Sequence, residues 1–245
     1  MATRAVHIVI DAADPSRLAA FWAEALGWEV ASDEPDEVVV APAGFDYPNP
    51  AALPLVFVPV ADLKAARNRV HLDLATTSDE HQAAEVERLL ALGATRVDIG
   101  QGKVPWEVLA DPEGNEFCVL EPRDVYLDSR PVAAVVIDSA DPAANARFWA
   151  IAAGWEVHTS DPDFASLRAA GATGPYLELL RSPDAKTVKN RIHLDVAPAR
   201  GGDTQVEAGR LRAAGAVSAD VGQGEVTWVV LADPEGNEFC VLSPR

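Results

Sequence analysis

The chain has 245 residues, with 20 basic against 38 acidic side chains and a formal charge of −18 at neutral pH. That balance excludes a cationic surface for nucleic acid or anionic lipid, and no apolar run approaches the ~20 residues of a membrane span. Two cysteines are too few for a disulfide framework, and Met1-Ala2-Thr3-Arg4 leads straight into a strand pattern without a leader signature. Reduced thiols and a cytoplasmic location are therefore expected.

Residues 6–11 read as a strand with His7, Val9 and Asp11 on one face. Asp14-Pro15 opens a helix, with the aspartate as N-cap and the proline in the first turn. Leu18, Phe21, Trp22 and Ala25 form its buried stripe, and Gly27 ends it. Short strands follow at 28–30 and 37–40. The segment 41–52, rich in Pro, Gly and Asn, reads as a loop and as a candidate lid. Residues 55–58 are a strand, and a charged loop then carries Lys64 and Arg67. Residues 69–74 alternate strictly, so Arg69, His71 and Asp73 share a face. A second helix covers about 79–92 and stops at Gly93. A hairpin at 109–120 closes the set around Asp-Pro-Glu-Gly-Asn. Pro112 suits the second turn position, and Gly114 the positive φ that follows.

Residues 231–242 repeat 109–120 letter for letter. Phe148-Trp149 and 154–157 repeat Phe21-Trp22 and 27–30, and 190–195 repeat 68–73 with one Val-to-Ile change. The chain is a tandem duplication with a deletion in a connecting loop. The expected domains are 1–124 and 131–245, joined by a short linker at about 125–130 that packs them together. Strand, helix and three strands occur twice per repeat, so the chain contains four βαβββ modules.

The Asp14-Pro15…Phe21-Trp22…Gly27-Trp28 helix, the Arg-x-His-x-Asp strand and the Asp-Pro-Glu-Gly-Asn-Glu-Phe hairpin together resemble the vicinal oxygen chelate superfamily. That group includes glyoxalase I, bleomycin-resistance proteins, fosfomycin-resistance enzymes and extradiol dioxygenases; the closest resemblance is to tandem glyoxalase-like domains. It implies an α+β fold of two glyoxalase-like units, each of two βαβββ modules, forming eight-stranded cups. Cups built within a repeat and across the repeats are both open. Metal-dependent members of the superfamily carry His or Glu ligands on the first and last strands of each module. Carried over by position, these places are His7, Phe57, His71 and Cys118 in the first repeat, and Ala134, Glu178, His193 and Cys240 in the second. Cysteine where relatives have glutamate departs from their hard-metal pattern, as do Phe57 and Ala134. The resemblance leaves two groupings. Within repeats they are His7/His71/Cys118 and Glu178/His193/Cys240; across repeats, His7/His193/Cys240 and Glu178/His71/Cys118. Zn²⁺ with three protein ligands is the ion such sets could hold.

His71 with Asp73, and His193 with Asp195, are candidate acid–base pairs. The bland alternative is a buried polar network in which Arg69 or Arg191 neutralises the aspartate. Phe57, Trp106, Glu116, Trp228 and Glu238 are candidate ligand-binding residues. Cys118 and Cys240 are ligands, nucleophiles or small core residues. Gly100-Gln101-Gly102 and Gly222-Gln223-Gly224 lack the Lys-Ser/Thr of a phosphate loop and read as turns. The leading expectation is a monomer or homodimer that binds or sequesters a small organic metabolite or drug-like ligand in its cups. No family metal and no nucleic-acid or membrane partner is expected. The competing class is an enzyme of the glyoxalase I kind (lyase, isomerase or dioxygenase) working through a divalent metal or a His/Asp pair. An inert duplicated scaffold is the third.

Overall fold

The computed structural model describes residues 3–129, 131–171, 174–222 and 224–245. Arg130 at the end of the expected linker and Gln223 of the second Gly-Gln-Gly turn lie outside the described residues. Module one comprises β1 (Thr3–Ala12), α1 (Pro15–Leu26), β2 (Glu29–Asp33), β3 (Val38–Ala41) and β4 (Leu55–Pro59). Module two comprises β5 (Val70–Leu74), α2 (Asp79–Leu92), β6 (Thr95–Arg96), β7 (Glu107–Ala110) and β8 (Glu116–Val119). A 3-10 turn at Asp124–Tyr126 precedes module three: β9 (Val132–Ser139), α3 (Pro142–Ala153), β10 (Glu156–Ser160), β11 (Phe164–Arg168) and β12 (Tyr176–Arg181). Module four is β13 (Ile192–Pro198), α4 (Thr204–Ala213), β14 (Val217–Ser218), β15 (Val229–Ala232) and β16 (Glu238–Val241). Among the described residues no helix is long and apolar enough to cross a membrane.

Local chemistry sets the element ends. The Asp14 carboxylate accepts from the Arg17 N–H at 3.1 Å, Pro15 occupies the first turn of α1, and Gly27 stops the helix at φ 63°. In the hairpin, Gly114 adopts φ 84° and its N–H donates to the Asp111 carbonyl at 2.9 Å, closing the expected turn.

Two eight-stranded sheets result, in the orders β14-β15-β16-β13-β1-β4-β3-β2 and β10-β11-β12-β9-β5-β8-β7-β6. Each draws one module from each repeat. β1 pairs antiparallel with β13, Val9 opposite His193, and β5 with β9, His71 opposite Val136. Of the two groupings open in the sequence, the crossed one is realised. Modules one and four form the first cup; modules two and three form the second.

Within a repeat, the two modules lie in different sheets and are joined by side chains. Trp22 of α1 donates its indole N–H to the Asp111 carboxylate at 3.2 Å, and its ring meets Phe117 of β8 edge-on at 5.1 Å. Glu113 accepts from the N–H groups of Ala13 and Asp14 at the start of α1, both at 2.8 Å. Arg88 of α2 caps the far end, donating to the carbonyls of Glu24 and Ala25. The second repeat reproduces the tie: Trp149 to Asp233 at 3.2 Å, Phe239 against Trp149 at 5.4 Å, and Glu235 on Ala140 and Asp141. The duplicated Asp, Glu and Phe of the hairpin thus have the same partners in both repeats.

A single apolar core draws on all four modules, with Trp22, Trp149, Phe117 and Phe239 among its largest members. Phe57, expected to line a cup, is fully buried in this core beside Leu55. Because successive strand residues face opposite ways, the cup position is Val56, which pairs with Val9 as Glu178 pairs with Val136.

Removing the tie should be costly. Asp111→Ala and Asp233→Ala each leave buried indole, amide and backbone N–H donors unpaired, so each is expected to lose about 3 kcal/mol in urea unfolding. A loss below about 1 kcal/mol would show that the carboxylate does not hold the modules.

Candidate functional site

Strand register decides which side chains meet. In the second cup one row crosses β8, β5, β9 and β12 as Cys118, Asp73, Ala134 and Tyr176, and the next row places His71, Val136 and Glu178 side by side. In the first cup the corresponding rows are Cys240, Asp195 and His7, then His193, Val9 and Val56. The crossed sets His7/His193/Cys240 and Glu178/His71/Cys118 are therefore the ones brought together. Asp73 and Asp195 stand inside them.

In the second cup His71 Nε2 lies 3.4 Å from Asp73 Oδ1, and Glu178 Oε1 accepts from the Tyr126 hydroxyl at 2.7 Å. Burial pushes Glu178 up to about 7, against the Tyr126 hydrogen bond and with help from the Asp73 charge. Burial also opposes charge on His71, but contact with the Asp73 carboxylate, its charge and that of Asp138 outweigh it and raise this pKa. In the first cup burial prevails over Asp195 and Asp11, and His193 is lowered. One duplicated position thus holds two imidazoles whose pKa values are shifted in opposite directions.

His193 Nε2 is 3.7 Å from Cys240 Sγ and 3.6 Å from Asp195 Oδ1, while its Nδ1 is buried without a hydrogen-bond partner. A nucleophile relay needs thiol and carboxylate on opposite ring nitrogens, so this is not one. Burial, then the neighbouring aspartate, pushes both thiols up, Cys118 beside Asp73 and Cys240 beside Asp195. Neither is an activated thiolate.

Both cups are filled by a tyrosine from outside the sheets. Tyr126, on the 3-10 turn, enters the second cup. Tyr47, on the expected lid segment, enters the first, where its hydroxyl donates to the Val6 carbonyl and its ring meets His7 at 5.6 Å. Arg245 Nη1 lies 3.3 Å from His7 Nε2, on the other side of which Asp195 sits 3.8 Å from Nδ1. The chain has three tyrosines, and the third, Tyr176, lines the second cup. Neither Tyr47 nor Tyr126 carries a periodic or repeated signal, so sequence reasoning passed over them.

The remaining candidates separate. Glu116 and Glu238 are engaged by Lys64 and Lys186, both at 2.6 Å, and by the N–H groups of Asn68 and Asn190. They pin the loops that feed β5 and β13. Trp106 packs on the apolar cluster of the second cup, with its N–H on Gln101, while Trp228 is more than a third exposed. Arg69 and Arg191 do not neutralise Asp73 and Asp195. Lying just ahead of their strands, they donate to the carbonyls of Asp138 and Asp184, and of Asp11 and Asp62. A cavity of about 690 Å³ lies between the loops 60–70 and 184–192. Of the cations that line it, Arg67 is matched by Asp138 and Lys189 by Asp11.

A family model described as the glyoxalase-like domain matches the chain twice, over residues 7–120 and 134–242. The chain belongs to the glyoxalase-like domain family. Among solved structures, glyoxalase I from Zea mays aligns at a TM-score of 0.67 and 15% identity, over 98% of this chain and 92% of that one. A putative dioxygenase from Bacillus subtilis subsp. subtilis str. 168 aligns at 0.63 and 13% identity, over 99% and 85%. At such identities the likeness is one of fold. No curated protein sequence matches the chain.

A metal in this glyoxalase-like protein would have to use what the cups offer. The ligand atoms of His71, Asp73 and Cys118 lie within 4.8 Å of one another, as do those of His193, Asp195 and Cys240. Mixed N, O and S donors suit Zn²⁺ better than a hard octahedral ion. Asp73 Oδ1 and Asp195 Oδ1 are buried without a hydrogen-bond partner, and a cation would satisfy them. The residues fit a three-donor Zn²⁺ set. His7 and Glu178 stand apart from it, facing Arg245 and Tyr126.

Glu178 provides a test of the electrostatics. Between about pH 4.5 and 7 the folded chain keeps a proton on Glu178 that the unfolded chain has released, so stability falls as pH rises through that window. The loss approaches about 3 kcal/mol. Glu178→Gln should remove it, gaining on the parent in urea unfolding between pH 5 and pH 8. An equal difference at both pH values would contradict the shift.

Proposed function

We propose that this glyoxalase-like protein binds a small organic molecule in its second cup, with Glu178 as the polar anchor and without the family's metal. One observation carries the reading: Glu178 already accepts a hydrogen bond from an organic hydroxyl, that of Tyr126, at 2.7 Å. A carboxylate so engaged is not directed at an ion, and Ala134, at another ligand position, offers no donor. Ala133, Ala134, Val136, Leu120 and Tyr176 supply the mainly apolar lining with few polar groups that small-molecule sites share. Glu178 near 7 beside a raised His71 also suits proton transfer within such a ligand.

A second reading is favoured by the buried Asp73 Oδ1, whose nearest cationic neighbour is His71 at 3.4 Å and which no hydrogen bond satisfies. His71, Asp73 and Cys118 would hold Zn²⁺, which when bound would supply Lewis-acid polarisation for an enzyme of the glyoxalase I class. In that reading Glu178 would move the proton.

Elemental analysis of protein purified without chelator, with calorimetry against a small organic library, separates the two. The first reading expects well under one metal ion per chain and at least one ligand whose binding is lost in Glu178→Ala. About one Zn²⁺ per cup, lost in His71→Ala and His193→Ala, would replace it with the second.

A further inference from the structure

Tyr126 occupies the second cup as a ligand would. Its hydroxyl reaches Glu178, its ring stands edge-on to Tyr176 at 5.8 Å and 72°, and the Arg123 guanidinium lies 5.9 Å from its centroid. Arg123 also lies 5.7 Å from the Trp106 ring, whose N–H is held by Gln101 at 2.9 Å. The floor is made of the fully buried Ala133 and Ala134. The first cup has His7 where the second has Ala134, and its tyrosine, Tyr47, reaches the Val6 carbonyl and the Arg245 side chain where Tyr126 reaches a carboxylate. Among the described residues, the glutamate, the small floor and the ring-facing cation are features of the second cup.

Resting on the reading that the second cup takes an organic ligand, we propose that this ligand is a phenol or another planar ring bearing one acidic hydroxyl, and that Tyr126 is its intramolecular stand-in, displaced when the ligand enters. The slot asks for a flat ring with one donor aimed at a buried carboxylate. A ring without the hydroxyl leaves Glu178 unpaired, which buried sites penalise heavily. An aromatic carboxylate brings a like charge against Glu178 and Asp73. An aliphatic alcohol forfeits the ring contacts and the cation over the ring face.

The segment that carries Tyr126 is built to leave. The backbone bonds of Tyr126 itself are local: its N–H to Arg123 O, and the Ser129 N–H and hydroxyl to Tyr126 O. Val125 and Leu127 on either side are 53% and 49% exposed. Asp128 ties the segment to Arg168 at 3.0 Å from an exposed position. Unseating Tyr126 breaks its hydroxyl bond and its ring packing but no strand pairing, the profile of a region that opens locally. A ligand must then outcompete a tethered phenol, and weakening that competitor raises its apparent affinity.

Calorimetry with p-cresol, toluene and 4-methylbenzoate on the full chain tests this, alongside Tyr126→Phe, Tyr126→Ala and Glu178→Ala. The parent should bind p-cresol. Tyr126→Phe, which keeps the packing and loses the hydroxyl, should bind it about tenfold more tightly. Toluene should be about tenfold weaker than p-cresol on the parent, a preference that disappears in Glu178→Ala. With 3-fluorotyrosine incorporated, the ¹⁹F resonance missing from Tyr126→Phe should move to a solvent-exposed shift as p-cresol saturates the parent. Equal affinity for p-cresol and toluene, no gain in Tyr126→Phe, or an unmoved Tyr126 resonance at saturation would each overturn the proposal. If p-cresol fails but another library compound binds in a Glu178-dependent way, the phenol assignment falls and the binding reading stands. If nothing binds even to Tyr126→Ala, both fall.

Discussion

The structure depends on a buried carboxylate used twice. Asp111 and Asp233 each sit at the centre of a hairpin turn and accept from the turn's own N–H groups, from an asparagine side chain and from a tryptophan of the preceding module's first helix. Burial raises the pKa of both, and the converging donors oppose that shift. With Phe117 or Phe239 packed on the same tryptophan, the tie locks the two modules of a repeat back to back, in different sheets. Neither module can then complete a cup with its own repeat partner, and the free edges of β1 and β5 find β13 and β9.

From that constraint follows the identity of each site. Crossing the repeats brings Glu178 into the cup of His71 and Cys118, and His7 into the cup of His193 and Cys240. Duplication supplied two equal frames, and a few substitutions inside them created unlike interiors. Ala134 stands against His7, Glu178 against Val56, and a linker tyrosine against a loop tyrosine. The identical hairpins hold the frame, and the two cups keep one His/Asp/Cys set while differing at 7/134 and 56/178. Two imidazoles on one duplicated strand accordingly shift in opposite directions.

Much of the frame was legible in the amino-acid sequence because it is local. Asp14, Pro15, Gly27 and Gly114 do what their conformational preferences dictate, and the repeated hairpin announced four modules and their family. Phe57 went astray because an apolar strand buried on both sides has no alternation from which to read its facing, and a one-residue error exchanges cup for core. The crossed pairing was not legible, since β1 is as compatible in pattern with β5 as with β13 and the choice is made by helix-to-hairpin contacts far apart in sequence. Arg69 and Arg191 alternate correctly but precede the strand, so their long side chains reach carbonyls of a neighbouring strand end and a loop. Tyr47 and Tyr126 come from irregular segments, where no periodicity marks a side chain that turns inward.

The crossed pairing is the claim from which the site assignments descend, and cross-strand Hα–Hα contacts in nuclear Overhauser spectra of the intact chain test it most directly. Contacts are expected between residues 3–12 and 192–198, and between 70–74 and 132–139, with Val9 and His193 on neighbouring strands. Contacts joining residues 3–12 to 70–74 instead would place each cup within its own repeat. Glu178 would then be separated from His71, and the account contradicted.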